Sequence, residues 1–382
     1  MIRHFVVRTA VAIHSAGAPA PFGAPHAAAM HAPIEGFGAA TTGGAGLRAC
    51  VVSSRFDSGP GTLRECLRGG NRHVTFAAAG TIELQSQLSV EGSHVTIDGF
   101  SAPPPGITLR GWGLNIWDVH DVIVRGLRIR DAGLKPGKTS TDCIGVYGPG
   151  AFNIVIDHVS IYNCGDGGID ISSGPKNITI QWSIVSTGKL ALWGSTSSSR
   201  RTDTDRIIMH HTLFICGPDT ISEGMGCDRE PLVRASGYPV SVDLRNNVFE
   251  GWIRDNATKI EPAARVNAVG NAYIPRHDST FSHRQQSIAV RPGARVHAAD
   301  NFDLGAPPRP DLNVNGNEAA ALPAPPVTAR PLGCVVRDAG MHPRDAIDRQ
   351  LVTFVTRVPD ACAGAHPPEP SPPATMQREA TQ

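Results

Sequence analysis

A recurring cassette of short β-branched strands constrains the fold of this chain more than any other feature. Copies include "SHVTIDG", "HDVIVRGLRIRD", "FNIVIDHVSIYN" and "KNITIQWSIVST", and they return at intervals of roughly 24 to 34 residues. Further short strands lie between the copies: "DCIGVYG", "GGIDISS", "LALWGST" and "PLVRASG". Three short strands per period are typical of one coil of a β-helix. We therefore predict an all-β fold, a right-handed single-stranded parallel β-helix.

Stacking of the coils determines both the core and the outer surface. One coil cannot bury its own inward face, so successive coils must stack and form a continuous apolar core. Paired strands lie about 4.8 Å apart, which lets residues distant in sequence line one outer face. The first coil needs a cover over its open end. In "GPGTLRECLRGG" the spacing of Leu63, Cys66 and Leu67 predicts a short N-terminal cap helix.

Composition agrees with this architecture and limits the possible partners. Only 5% of residues are aromatic, while 41 glycines and 31 prolines favour many short strands joined by turns. The net charge of +1 provides no global field for nucleic acid or for an anionic membrane surface. No apolar run is long enough to span a bilayer. We expect neither a nucleic-acid partner nor membrane insertion.

The segments outside the repeat differ from it in composition. Residues 1–45 are interpreted as a possible signal or disordered leader, and residues 46–305 as the β-helix. Residues 306–362 begin rich in Pro and Ala and are predicted to form an arm packed on the β-helix, with a short helix and a final strand near 337–355. Residues 363–382 are predicted to be a disordered tail.

The number and spacing of the cysteines indicate the cellular compartment of the protein. The eight cysteines show no zinc-type CxxC spacing, and the simplest proposal pairs neighbours in sequence: 50 with 66, 143 with 164, 216 with 227, and 334 with 362. Buried thiols are the alternative. Disulfides would favour an oxidising compartment, and we expect secretion. The signal peptide is nevertheless weak, since Arg8 interrupts its apolar run, and a mis-set start codon is an equal explanation.

Three aspartates fall on two of the strands between the cassettes. Asp142 begins "DCIGV", while Asp166 and Asp170 frame "DGGID". If these strands stack, the carboxylates converge, and their repulsion raises at least one pKa unless a hard divalent cation lies among them. Ca²⁺ prefers oxygen ligands of this kind.

Three cations occupy the next two strands of the same kind. Lys189 precedes "LALWG", and Arg229 and Arg234 frame "REPLVR". Stacking in chain order would set them beside the three carboxylates on a single face. Such a group could bind and transform an acidic ligand, or it could be a structural network of salt bridges.

These motifs together resemble the pectate lyase family of the large pectate lyase/pectin lyase superfamily. The resemblance covers roughly residues 50–305. It rests on the following stretches: "VIVRGLRIRD", "TDCIGV", "IVIDHVSI", "DGGIDI", "ITIQWSI", "GKLALWGS", "REPLVR" and "RNNVFEGW". "REPLVR" is similar to the Arg-x-Pro-x-x-Arg signature of the family.

The resemblance implies a role for each residue of the cluster. It assigns calcium binding to the three acids: Asp142, Asp166 and Asp170. It makes Lys189 a contact of the substrate carboxylate, Arg229 the catalytic base and Arg234 a second substrate-binding arginine. One departure is Ser140, which stands where the family often has a further acidic ligand, and this should weaken calcium binding in the free protein.

The activity implied is calcium-dependent β-elimination of α-1,4-linked polygalacturonate by a monomer, giving 4,5-unsaturated products. Arginine is ordinarily protonated, so a base role predicts an alkaline optimum. A hydrolase of polygalacturonase type would need Gly-His-Gly and Arg-Ile-Lys signatures, which are absent from the sequence. Pectin lyases lack the calcium acids. A non-catalytic or inactivated carbohydrate-binding β-helix, and a lyase acting on another uronate polymer, remain as alternatives.

Overall fold

Each cassette of the sequence forms one coil, and every strand pairs in parallel with the strands of the coils before and after it. The computed structural model describes residues 33–134, 141–194, 203–217, 227, 229–235, 238–252, 256–276, 286–303 and 319–363. The strands lie in three parallel sheets of ten, eight and nine strands. The predicted all-β parallel β-helix is confirmed.

The bounds of the strands follow sheet by sheet, each in the order of the coils. Sheet 1 contains β1 Arg48–Val52, β2 Arg72–Phe76, β5 Val95–Asp98, β8 Val122–Arg125, β11 Phe152–Asp157, β14 Lys176–Gln181, β17 Asp205–His210, β20 Val240–Arg245, β23 Ala264–Val269 and β26 Arg295–Ala299. Sheet 2 contains β4 Leu88–Val90, β7 Leu114–Trp117, β10 Ile144–Tyr147, β13 Ile169–Ser172, β16 Leu192–Gly194, β19 Leu232–Arg234, β22 Asn256–Ile260 and β25 Gln286–Val290. Sheet 3 contains β3 Gly80–Glu83, β6 Ile107–Arg110, β9 Leu127–Ala132, β12 Ser160–Cys164, β15 Ile184–Ser186, β18 Leu213–Ile215, β21 Val248–Glu250, β24 Ala272–Ile274 and β27 Phe302–Asp303.

Stacked aliphatic side chains fill the interior between the sheets. Leu114, Ile144 and Ile169 lie opposite one another in neighbouring coils and are fully buried. Because side chains alternate along a strand, the residues between them point outward. The corners carry their own stack, in which the Asn247 side-chain amide donates to Asn271 Oδ1 and the Asn271 amide donates to Asn301 Oδ1, each at 3.0 Å.

A short helix covers the first coil, as predicted. It spans Leu63–Cys66, and the Thr62 side chain accepts a hydrogen bond from the Glu65 amide at its N-terminus. Leu63 and Cys66 are buried, and the Cys50–Cys66 disulfide ties the helix to β1. The apolar end of the core is therefore shielded from water.

The chain after the last coil packs on the outside of sheet 3. Two helices, Leu332–Asp338 and Ala346–Val352, bury Leu332 and Leu351 against Ile215 of β18 and its neighbours. The final strand predicted near 337–355 is wrong, because Val355 packs in this second apolar cluster after a turn instead of extending a sheet. Within the described residues, no helix is long and apolar enough to cross a membrane.

All four sequence-near disulfides are present, so the predicted pairing is confirmed: Cys50–Cys66, Cys143–Cys164, Cys216–Cys227 and Cys334–Cys362. The proposed domain boundaries stay predictions. Residues 34–382 cluster as one unit, and residues 1–32 and 364–382, which include most of the predicted leader and tail, lie outside the described residues. The described residues 34–46 run over sheet 1, where the Gly38 amide donates to Thr179 Oγ1 at 2.9 Å.

Candidate active site

The outer face of sheet 2 collects the six predicted site residues. Alternation in β10 turns Ile144 and Val146 into the core and Gly145 and Tyr147 outward. Gly145 lies opposite Asp170 of the next coil. At the entrance to these strands Gly167 bridges to Lys189, and at their exit Gly194 pairs with Arg234. Four segments distant in sequence therefore meet on one face, as the repeat predicts.

Asp142 and Asp170 lie on either side of Gly167. A Cβ added to Gly167 would sit 2.3 Å from Asp170 Oδ1 and 2.8 Å from Asp142 Oδ1, so only glycine leaves room for both carboxylates. The Gly167 amide donates to Asp142 Oδ1 at 2.6 Å, and the Leu192 amide donates to Asp170 Oδ1 at 2.8 Å. Backbone donors from neighbouring coils thus hold both acids.

The pKa of each of these acids lies above its ordinary value. Burial raises the pKa of Asp142, and the charge of Asp166 adds to the increase. Burial also raises the pKa of Asp170 well above normal, with further contributions from Asp142 and then Asp166. Crowded, desolvated carboxylates of this kind favour either a proton or a cation.

Tyr147 contacts the same cluster and was missed by the sequence analysis. Its hydroxyl donates to Asp142 Oδ2 across Gly145, where any Cβ would lie 2.2 Å from the Tyr147 ring. This hydrogen bond lowers the pKa of Asp142, against the effect of burial. Burial and the neighbouring Asp142 charge raise the pKa of Tyr147, so the phenol stays a donor. The sequence does contain a signal for this contact: in "DCIGVYG", Tyr147 follows Gly145 by two residues and therefore points to the same outer face.

Asp166 and Lys189 form an ion pair at the edge of the cluster. Lys189 Nζ lies 2.7 Å from Asp166 Oδ1, and the side chains are 40% and 33% exposed. Such an exposed pair adds little to stability, so both groups can exchange partners when a charged ligand arrives. Lys189 is therefore accessible for contact with an anion.

Arg229 lies beside the two buried acids. Its charge lowers the pKa of both Asp142 and Asp170. Its carbonyl accepts a hydrogen bond from the Ala191 amide at 2.9 Å, which ties it to the preceding coil. The backbone φ of +68° is in the left-handed region, a conformation that costs a residue with a Cβ about 1–2 kcal/mol.

Arg234 extends the cationic part of the face by one coil. Its Nε lies 3.9 Å from Glu261 Oε2, and Lys259 Nζ lies 3.0 Å from Glu261 Oε1. Lys259 stands opposite Leu232 on β22, so it faces the same side as Arg234. Lys259 and Glu261 were not predicted as part of the site, because "NATKIEPA" was not recognised as a strand of this sheet.

The three aspartates do not close into one compact ligand set as their side chains stand. In the described part of the chain, two groups have possible ligand atoms that all lie within 4.8 Å of one another: Glu35, His210 and His211, and His94, His120 and Asp121. Asp166 turns toward Lys189 instead. Ser140, the expected departure from the family pattern, lies outside the described residues.

Two disulfides flank the site. Cys143 directly follows Asp142 and is bonded to Cys164, two residues before Asp166. Cys216 is bonded to Cys227, two residues before Arg229. Both crosslinks therefore restrain the segments that carry candidate site residues.

This chain is similar in sequence and in fold to known proteins. No family model matches the chain. A "Probable pectate lyase C" of Aspergillus flavus is 38% identical over 251 residues, which are 65% of this chain and 55% of that protein. A "Probable pectate lyase 16" of Arabidopsis thaliana is 30% identical over 242 residues, 58% of this chain and 57% of that protein. The chain thus spans about half the length of the curated relatives it matches.

Solved structures agree in architecture. The crystal structure of a pectate lyase from Bacillus sp. N165 in complex with trigalacturonate superposes with a TM-score of 0.58, at 18% identity, over 81% of this chain and 98% of that one. At this level of identity the likeness concerns the fold. The sequence relatives and the shared fold together make this chain similar to pectate lyases.

Proposed function

We propose that this protein is a calcium-dependent pectate lyase that cleaves α-1,4-linked polygalacturonate by β-elimination and leaves 4,5-unsaturated products. One observation carries the proposal: three carboxylates and three cations, from segments between Asp142 and Arg234, share one outer face of sheet 2. A structural salt-bridge network explains this less well, since its Asp166–Lys189 pair is exposed and the more buried Asp142 and Asp170 are held by backbone amides.

The residues present fit a calcium ion. Asp142, Asp166 and Asp170 offer hard oxygen ligands, and burial together with neighbouring carboxylates raises the pKa of Asp142 and of Asp170 despite the nearby Arg229. When bound, calcium neutralises the carboxylate of the sugar and so makes its neighbouring C–H group more acidic. Asp166 would join the set by leaving Lys189, which then becomes available to the substrate.

The cations of the chain perform the remaining steps. Lys189 and Arg234 bind the uronate carboxylate and stabilise the negative charge that develops on it. Arg229, in its neutral form, takes the proton from C5. The electron pair of the C5–H bond forms the C4=C5 double bond, the bond from C4 to the glycosidic oxygen breaks, and that oxygen takes a proton from water. Since Arg229 must lose its own proton first, the rate should rise from neutral pH toward about pH 10.

The proposal also covers the substrate of the protein and its cellular compartment. The similar fold of the Bacillus pectate lyase in complex with trigalacturonate supports an oligogalacturonate-type substrate. Four disulfides favour an oxidising environment, and we propose a secreted monomer.

The decisive experiment follows the ultraviolet absorbance of the unsaturated uronate product. Polygalacturonate is incubated at alkaline pH with Ca²⁺, with a chelator, and with Arg229→Ala in place of the natural protein. We expect a calcium-dependent increase that the variant abolishes. Lys259→Ala is a matched control, because it removes a cation from the same face without touching the three acids, and it should retain measurable elimination.

Two outcomes would contradict the proposal. Absence of product at every calcium concentration, with the protein folded, would favour a non-catalytic carbohydrate-binding protein. Product from another uronate polymer, such as a mannuronate or glucuronate chain, but none from polygalacturonate would retain the lyase chemistry and change the substrate.

A further inference from the structure

An exposed tryptophan lies on the catalytic face, one coil before the carboxylate cluster. Trp117 ends β7 and stands opposite Tyr147 of β10. Its side chain is 61% exposed, whereas Trp193 and Trp252 are fully buried. An indole in water forfeits much of the free energy that burial of a large aromatic side chain provides. Its position therefore requires an explanation.

Hydrogen bonds to a fixed carboxylate orient this exposed ring. The indole Nε1 donates to Asp118 Oδ2 at 3.1 Å, and Asp118 Oδ1 accepts from the Gly150 amide at 2.8 Å. The Asp118 amide in turn donates to the Tyr147 carbonyl at 3.0 Å. Three hydrogen bonds, two of them to the next coil, thus restrict the indole before any ligand is bound. A ring held in this way loses little entropy on binding.

A second aromatic ring connects Trp117 to the acids. The rings of Trp117 and Tyr147 meet edge to face, with centroids 5.9 Å apart and an interplanar angle of 65°. The Tyr147 hydroxyl donates to Asp142. A polymer that occupies the carboxylate cluster and continues across the coils toward the N-terminus therefore passes over Trp117.

The charged side chains of this face are distributed differently on the two sides of the carboxylate cluster. The described cations of the face all lie on later coils than Asp142: Lys189, Arg229, Arg234 and Lys259. On the earlier coils the row contains Asn115, which accepts from Gln87 at 3.0 Å, and the acid Asp118. Arg64, which reaches the Gln87 carbonyl, is already paired with Asp57 at 2.6 Å.

We propose that Trp117 is a stacking platform for one sugar ring of the bound polymer, and that this position takes a methyl-esterified or neutral sugar in preference to a uronate anion. The apolar C–H face of a sugar packs on the indole, while a carboxylate at the same place would meet the negative charge of Asp118, and the described cations named above lie on later coils. The proposal rests on the proposed function, which sets the polymer along this face.

Steady-state kinetics on two substrates test the proposal. Trp117→Ala should raise KM for partly methyl-esterified pectin about tenfold, raise KM for polygalacturonate less, and change kcat less than twofold. Trp117→Tyr, which restores an aromatic ring, should recover most of the affinity. Phe56→Ala is the matched control, since Phe56 is 77% exposed but lies in the loop after β1, and it should leave both KM values unchanged.

Fluorescence separates this proposal from the proposed function. The Arg229→Ala variant, which prevents turnover, is titrated with partly methyl-esterified oligogalacturonate, and Trp117→Phe in the same background should lose the change in emission. A change that depends on Trp117 in a protein without lyase activity would support the platform and refute the lyase. Unaltered KM and emission in an active Trp117→Ala enzyme would overturn the platform, and an equal rise of KM on both substrates would overturn its preference for an uncharged sugar.

Discussion

Replacing Asp170 with asparagine should make the calcium-free protein more stable and the enzyme inactive. Asp170 is only 7% exposed, and burial together with Asp142 raises its pKa well above normal. At neutral pH its ionised form is therefore a cost to the folded state. Asparagine has nearly the same shape, and its Oδ1 can still accept the 2.8 Å hydrogen bond from the Leu192 amide.

The expected gain follows from the environment of this one carboxylate. A buried polar group without a partner costs about 1–3 kcal/mol, and a charged one costs at least as much, so the neutral asparagine amide avoids a penalty of this order. For a chain of 382 residues, with about 2.1 cal/mol/K of unfolding entropy per residue, 1 kcal/mol corresponds to roughly 1–2 °C in melting temperature. We therefore expect Asp170→Asn to melt a few degrees above the natural protein in the presence of a chelator.

The free energy of unfolding should depend on pH in a direction set by the raised pKa of Asp170. A folded-state pKa above the unfolded value means that the native protein binds more protons in that interval, so the free energy of unfolding falls as pH rises through the folded pKa. Below the unfolded pKa of about 4, Asp170 is neutral in both states, and the advantage of Asp170→Asn should disappear. Calcium should reverse the order at neutral pH, because a ligand at a hundred times its Kd adds about 2.7 kcal/mol to the natural protein and far less to the variant.

Thermal unfolding of both proteins measures all three expectations. The scans are run with intact disulfides at acidic and neutral pH, with chelator and with Ca²⁺, and Asp205→Asn on sheet 1 controls for removal of an aspartate elsewhere. If Asp170→Asn is less stable than the natural protein in chelator at neutral pH, or gains as much from Ca²⁺, then the acids do not form a strained cation site.

Two further substitutions test the support of this cluster. Tyr147→Phe removes the hydrogen bond that lowers the pKa of Asp142, so the pH midpoint of calcium binding should move upward. Calcium titrations at several pH values measure this midpoint, and an unchanged midpoint would contradict the role of the hydroxyl. Replacing both Cys143 and Cys164 with alanine removes a crosslink with a sequence separation of 21 residues. In denaturant titrations this should lower the free energy of unfolding by about 3 kcal/mol, and it should also weaken calcium binding. The same change at Cys334 and Cys362 is the control and should leave calcium affinity intact.

The repeat made the fold and the shared face predictable. Strict alternation in "DCIGV" and "GGIDIS" turns Ile144 and Ile169 inward, and this fixes the outward side of both strands. A slip of one residue would expose the aliphatic stack to water, so the register is strongly determined by burial. From that register alone, Asp170 had to lie on the coil that follows that of Asp142.

Side-chain partners could not be obtained in this way. The sequence sets Asp166 on the face but does not decide that its carboxylate turns to Lys189, because exposed side chains choose among rotamers of similar energy. The strand that holds Lys259 was missed because its single outward lysine gives almost no alternating pattern in "NATKIEPA". The donor role of Tyr147 depends on its ring crossing Gly145, which is a matter of packing and not of pattern.

The scaffold explains how acids can be crowded without losing the fold. In an isolated loop, Asp142 and Asp170 would move apart to reduce their repulsion. Here each belongs to a coil whose backbone is paired with neighbours on both sides, and Gly167 has no side chain to keep the two carboxylates apart. The energy that holds them together therefore comes from the stacked core, and a bound cation would relieve the repulsion that the core maintains. If calcium binds as proposed, its affinity should depend on strand register and should fall with any change that lets the two coils slide.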